Sequence, residues 1–324
     1  MGFRPWSDLP QELMEKVAKN LFITDEVMVR AVCKGWNSMR HVRPVNQLPL
    51  LLMSKSPNLQ PIFDPSSEKT CNLNFNPRGD LVLASKHGWL LMRHGMKTTY
   101  FINPFTGVRI DLPRLNNDIY SGTFSSPPTS HDCVVCTLGT KTAYTCSPRD
   151  QRWKTICERT RCNPYRGQMV YMDGNFYIGD RHGHLAAFNV NNQKWNMVIQ
   201  NMGFEGSYRN FLLESSGELL LVIEYFGDSN KRKSVSRLNN SMTRWETVES
   251  LGDRALFLGP TSFSVSESSA TPGIENLIYT CERRSRPEYY SLEGEARTYS
   301  GLNPYSLTDG KGRGTCWVKV PPSA

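Results

Sequence analysis

The 324-residue chain has no apolar run near the roughly 18 residues that a membrane-crossing helix needs. Its longest apolar stretches, Leu48 to Met53 and Leu219 to Ile223, have the length of strands. The opening MGFRPWSDLP has no apolar signal segment, which argues against secretion. Trp6 stands where a myristoylation motif beginning at Gly2 requires Ser or Thr. Nine cysteines at irregular spacings imply no disulfide framework. Together these absences lead us to expect a cytoplasmic and/or nuclear protein with reduced thiols and no membrane partner.

Catalytic signatures are missing too. There is no G-x-S-x-G elbow and no phosphate loop; Asp309 to Gly314 is glycine-rich and basic but lacks the loop's spacing and a following helix. Cys133 and Cys136 form a C-x-x-C just after His131, but no second ligand pair follows, and strand residues three apart face opposite sides. His182 and His184 have no third ligand nearby. The expectation is therefore no catalytic residue, no metal site and no cofactor. The 38 basic residues outnumber 30 acidic ones, for a net charge of +8, but they are scattered. The one tight cluster, Lys231, Arg232 and Lys233, reads as a solvated loop, with a weak import signal as the alternative. A nucleic-acid partner is not expected.

What is present begins with a helix. Pro10 suits a first helical turn, where its missing N–H is not needed, and Glu12 favours the helix dipole there. Leu9, Leu13, Val17 and Leu21 recur every four residues beside Met14 and Ala18, giving one apolar stripe. Thr24 caps a second helix that carries Asp25 and Glu26 in its first turn, then Val27, Val29, Ala31 and Val32 before Cys33, Lys34, Gly35 and Trp36. Such a short helical piece cannot enclose a core alone. It packs on the rest of the chain or on another protein, and spacing does not decide which.

From Gln47 onward the period changes to short apolar runs separated by Gly, Pro, Asn and Ser clusters, which read as strands and turns. Polar turns recur at Asp64, Asn103, Ser147, Asn189, Asn239 and Ser291, in steps of 39 to 52 residues. Three end in tryptophan (Trp153, Trp195 and Trp245), and the last two lie at the same offset from their marker. A strand, a polar turn and a strand opening with Trp at this period describe propeller blades. Six markers suggest six blades, with five or seven as alternatives; a pair of sandwiches is the competing all-β reading. The C-terminal strand around Trp317 to Val320 is expected to pair with the strand near Leu50 to Met53 and close the ring. No Gly-Gly doublet marks a standard kelch repeat, and no Trp-Asp pair marks a WD repeat.

Two sets of residues carry a resemblance. "LPQEL" at Leu9 to Leu13, with Val17, Leu21 and "VCKGW" at Val32 to Trp36, resembles the F-box motif. Gly88 to Leu91, Asn103 to Gly107 with Leu112-Pro113, Leu212 to Val222, Arg244 to Gly259 and the closing "CWVKVPP" resemble plant F-box proteins with a C-terminal kelch-like β-propeller of unknown function, the KIB type. The resemblance implies a three-helix F-box over residues 1–44 and a divergent, six-bladed β-propeller over 45–324. It implies adaptor contact through Leu9, Pro10 and Leu13, with Val17, Val32 and Cys33 sharing or supporting that face. Trp36 belongs either to the contact or to internal packing that sets the third helix. The function so implied is that of a non-catalytic substrate receptor of a Skp-cullin-F-box ubiquitin ligase, with a Skp-type adaptor, through it a cullin, and a target protein as partners. The alternative is a stand-alone binding or inhibitory protein whose F-box is structural packing.

Overall fold

The computed structural model describes residues 9–18, 21, 29, 32–37, 48–53, 60–66, 68–73, 80–139, 142–157, 168–179, 184–200, 208–225, 233–266, 274–281, 287–292, 297–298 and 316–319. Two helical segments, α1 (Gln11–Ala18) and α2 (Lys34–Asn37), precede the β region. Most of the helix expected after Thr24 lies outside the described residues, as do His182, Lys231, Arg232 and the Asp309 to Gly314 loop.

The rest is a six-bladed β-propeller. Blade one contains β1 (Leu50–Leu52), β2 (Gln60–Asp64) and β3 (Lys69–Leu73). Blade two is β4 (Leu81–Lys86), β5 (Trp89–His94), β6 (Thr98–Ile102) and β7 (Arg109–Asp111). Blade three is β8 (Ser121–Phe124), β9 (Val135–Leu138), β10 (Ala143–Cys146) and β11 (Lys154–Cys157). Blade four is β12 (Gln168–Met172), β13 (Asn175–Gly179), β14 (Leu185–Asn189) and β15 (Lys194–Ile199). Blade five is β16 (Tyr208–Ser215), β17 (Glu218–Tyr225), β18 (Lys233–Leu238) and β19 (Trp245–Thr247). Blade six holds β20 (Arg254–Leu258), β21 (Phe263–Ser266), β22 (Leu277–Thr280), β23 (Glu288–Ser291) and β24 (Arg297–Thr298). The last strand, β25 (Cys316–Val318), returns to blade one as its first strand.

That return closes the ring. β25 runs antiparallel to β1 with Leu50 opposite Val318, Leu51 opposite Trp317 and Leu52 opposite Cys316, the pairing expected from the sequence. A closed ring leaves no long sheet edge to recruit another chain.

All six polar markers fall where the sequence reading put them, at the turn into a blade's outermost hairpin strand. The local cause is side-chain capture of backbone N–H groups. Asn103 Oδ1 accepts from Phe105 and Thr106 N–H, both at 3.0 Å. Asn189 Oδ1 accepts from Asn191 (3.1 Å) and Asn192 (3.0 Å), and Asp64 Oδ1 accepts from Ser66 at 2.9 Å. The first hairpins of blades two, four and five turn differently. His87-Gly88, Asp173-Gly174 and Ser216-Gly217 all take positive φ, between 47° and 79°, the backbone of a two-residue turn that matches strand twist. Alternating strand directions bring the first turn and the outer-hairpin turn of a blade to the same face of the ring.

The core lies between blades. Successive residues of β17 point to opposite neighbours: Leu219, Leu221 and Ile223 pack on blade four, while Leu220 and Val222 pack on blade six. Strands buried on both faces read as continuous apolar runs, which explains "ELLLVIEY". Trp245 and Val248 serve different interfaces, Trp245 towards blade four and Val248 towards blade six.

Blade six departs from the pattern. Its strand order is β21-β20-β22-β23-β24, with β20 antiparallel to β21 and parallel to β22. Without β20, the other four strands lie in chain order, as in blades two to five. β20 is thus a wedge between the first and second strands of the blade, entered through the turn at Gly252-Asp253, where Gly252 has φ +64°.

Candidate functional site

The N-terminal stripe divides on α1. Met14 and Ala18 are buried, whereas Leu13 and Val17, one turn apart, are 46% and 48% exposed. Pro10 is exposed and its carbonyl accepts from Leu13 (3.0 Å) and Met14 (3.2 Å) N–H, which starts the helix; Leu9 is half-buried. Just before α2, Val32 is 63% exposed and Cys33 half-buried; within it, Trp36 is half-buried. The Trp36 indole N–H is shielded from solvent and finds no acceptor among the described residues, which fits a packing role for that ring. A Cβ on Gly35 would meet Cys33 Sγ at 3.9 Å, an ordinary contact.

A second site lies on the ring axis. The innermost strands β4, β8, β12, β16 and β21 and the turn between β20 and β21 surround a cavity of about 90 Å³. The Gln168 side chain fixes one end: its Oε1 accepts from Leu212 N–H and its Nε2 donates to the Gly259 carbonyl, both at 3.0 Å. One amide thereby joins three blades. Pro260, Thr261 and Ser262 complete that end, and Thr261 donates to the Trp317 carbonyl at 3.3 Å.

Lys86, Tyr171 and Glu214 line the opposite end, each within two residues of its blade's first turn. Lys86 Nζ donates to the Tyr171 carbonyl at 3.4 Å and stands 5.3 Å from that ring's centre. Burial pushes the Lys86 amine below its ordinary pKa, and Glu214 partly restores it. The His87 imidazole is pushed down as well, by burial first, then by Lys86 and Lys319. Sequence reasoning missed Lys86. The available signal was its position just before a two-residue turn on the first strand of a blade.

On the same face an alternating charge ladder crosses the edge of blade five. Arg254 Nη1 lies 2.7 Å from Glu218 Oε2, Arg237 Nη1 lies 3.3 Å from Glu218 Oε1, and Arg244 Nη2 lies 3.1 Å from Glu246 Oε1. Beside it, Ser216 and residues Ser250 to Arg254 line an open cleft of about 480 Å³, which includes Asp253.

The thiols sit in different environments. Cys133, just before β9, packs between blades two and three, and Cys136, within β9, packs between blades three and four. Burial pushes the Cys133 thiol up to about 11. Among the described residues no three His, Cys, Asp or Glu side chains are grouped to hold a metal, and no helix is long and apolar enough to cross a membrane.

Comparison with known proteins places these features. Residues 62–301 match the KIB1-4 β-propeller family. The chain belongs to that family. An F-box/kelch-repeat protein of Arabidopsis thaliana is 29% identical over 345 residues, covering 98% of this chain and 96% of the relative. Two Arabidopsis thaliana F-box proteins are similar to it as well. One is 29% identical over 86% of this chain and 78% of its own length, the other 30% identical over 85% and 75%. The resemblance to plant F-box proteins with a kelch-like propeller therefore holds.

Proposed function

We propose that this KIB1-4 family member is the substrate-recognition subunit of a Skp-cullin-F-box E3 ubiquitin ligase. In this reading residues 1–44 form a three-helix F-box that docks a Skp-type adaptor, and residues 45–324 hold a target protein. Leu9, Pro10, Leu13, Val17, Val32 and Cys33 make or support the adaptor contact. The exposed Leu13-Val17 pair carries the reading: one helix buries Met14 and Ala18 yet presents two large apolar side chains outward. An apolar helix face seated in a partner's groove is a common recognition mode. Relatives along nearly the whole chain bear F-box names, which supports the same assignment.

The mechanism is proximity. The adaptor fixes the receptor to the ligase, and the propeller holds the target where a charged ubiquitin-conjugating enzyme reaches its lysines. The receptor itself contributes no catalytic group. The site of action is the cytoplasm, the nucleus or both.

Co-purification with a Skp-type adaptor tests the proposal. The native chain should bind, and Leu9→Ala/Pro10→Ala and Leu13→Asp/Val17→Asp should each weaken binding at least about tenfold, since a buried Leu or Val contributes about 1.5–3 kcal/mol. The propeller's melting should not change. A folded native chain that ignores the adaptor would make the stand-alone binding protein the leading reading.

A further inference from the structure

The axial cavity contains an ammonium with most of its bonding capacity unused. Lys86 Nζ carries three N–H donors, and its hydrogen bond among the described residues is the 3.4 Å contact with the Tyr171 carbonyl. No described carboxylate lies within ion-pair distance of it. Glu214 acts on it only from across the cavity, because Glu214 Oε1 is held by the Gly217 N–H at 3.0 Å, back in the turn. The hydroxyls of Ser121 and Thr123, from the neighbouring blade, also line the cavity without a described partner. A desolvated charge with open positions is costly unless something anionic completes it.

We propose that this end of the channel is a socket for a side-chain carboxylate of the target, an aspartate or glutamate that enters from the turn face and bonds to Lys86. Size selects the ligand. About 90 Å³ is some three water volumes, at roughly 30 Å³ each, well below the roughly 300 Å³ at which metabolite pockets begin. A carboxylate with its methylene fits that space. Charge selects it too: Lys86 and Lys319 give this mouth a positive potential strong enough to disfavour protonation of His87, while Glu214 opposes a dianion such as phosphate more than a monoanion. The end fixed by Gln168 and Gly259 sets the depth of entry. The proposal rests on the receptor reading above, for which it specifies the chemistry of the target.

The test titrates the native full-length chain, at constant ionic strength, with N-acetyl-glutamate methylamide, its glutamine analogue, sodium acetate and inorganic phosphate. Binding is followed by NMR shifts and by the melting temperature. The proposal expects saturable binding of the glutamate probe, at least tenfold weaker binding of the glutamine and acetate probes, and loss of the effect in Lys86→Met and Lys86→Gln. No saturable binding of the glutamate probe to the native chain overturns it. Acetate binding as tightly as the glutamate probe, or phosphate binding more tightly, overturns it in favour of a free small anion. Adaptor co-purification by the Lys86 variants is a separate readout: it stays unchanged if only the socket fails, whereas failure of the native chain to bind adaptor defeats the receptor reading itself.

Discussion

Lys233 Nζ lies 2.8 Å from Glu224 Oε1, and the two side chains are only 2% and 4% exposed. They oppose each other across β18 and β17, and the ammonium also sits 4.3 Å from the centre of the Tyr290 ring on blade six. The basic triplet that reads as a solvated loop therefore has one member inside an interblade wall. Burial consumes Lys233, so a nuclear import signal cannot use it.

Removing Lys233 leaves the buried Glu224 carboxylate with the half-exposed Arg209, whose Nη1 lies 3.6 Å from Oε2. Lys233→Met should therefore cost up to about 3–5 kcal/mol, the range for breaking a buried ion pair. Pairing it with Glu224→Gln should recover much of that loss. Urea unfolding of the two variants decides the matter, and a loss under about 1 kcal/mol for Lys233→Met would contradict the burial.

Trp317 is fully buried, with ring contacts at 5.2 Å to Phe257 and 6.2 Å to Tyr279. Trp317→Ala should destabilise the propeller by about 3–5 kcal/mol. Deleting everything from Thr315 onward removes β25 and should abolish cooperative thermal unfolding. Calorimetry of the truncated chain checks this, and a sharp native-like transition would mean that the ring closes by other means.

Glu218 ties the wedge strand to blade five. The Arg254 hydrogen bond, first, and Arg237 hold its carboxyl below the ordinary glutamate value. A depressed acid stabilises the fold above its unfolded pKa of about 4.3 and loses that contribution as pH falls through the folded value. Glu218 is 34% exposed, so solvent screening limits the effect to about 1 kcal/mol. Glu218→Gln should therefore be less stable than the native chain at pH 7 and equal to it near pH 3. Parallel denaturation at the two pH values reads the difference.

Asn239 Oδ1 accepts from Thr243 N–H at 2.8 Å and Arg244 N–H at 3.2 Å. Asn239→Ala leaves both donors to an exposed turn and should cost about 1 kcal/mol. Asn239→Asp keeps the acceptor and should retain most of the native stability. Unfolding midpoints for the two variants compare the roles directly.

Much of the ring was legible because blade turns are local chemistry. Asn103, Asn189 and Asn239 capture the N–H groups of residues within five positions, and such short-range bonds leave a mark in sequence. Trp153 stands six residues after Ser147, the spacing that Trp195 and Trp245 keep from their own markers. The wedge was not legible. "RALFL" looks like any buried strand, and its place between β21 and β22 follows from packing against segments distant in sequence. The N-terminal stripe was half legible: a four-residue period placed Leu13, Val17, Met14 and Ala18 on one side, but only packing separates the outward pair from the buried pair. Lys86 was invisible for the same reason, since a lysine before a turn reads as solvated until the ring encloses it.

The pairing of β1 with β25 also sets a schedule for synthesis. Leu50 to Leu52 leave the ribosome early; β2 pairs with one edge of their strand soon after, but β25, the partner of the other edge, is made only after all the other blades. Through most of translation the growing protein displays one open edge of an apolar strand, the template on which neighbouring nascent chains associate. The helix that carries Leu13 and Val17 emerges before that strand. The cell thus handles an open ring, and the arrival of β25 decides whether it closes or becomes a burden on chaperones.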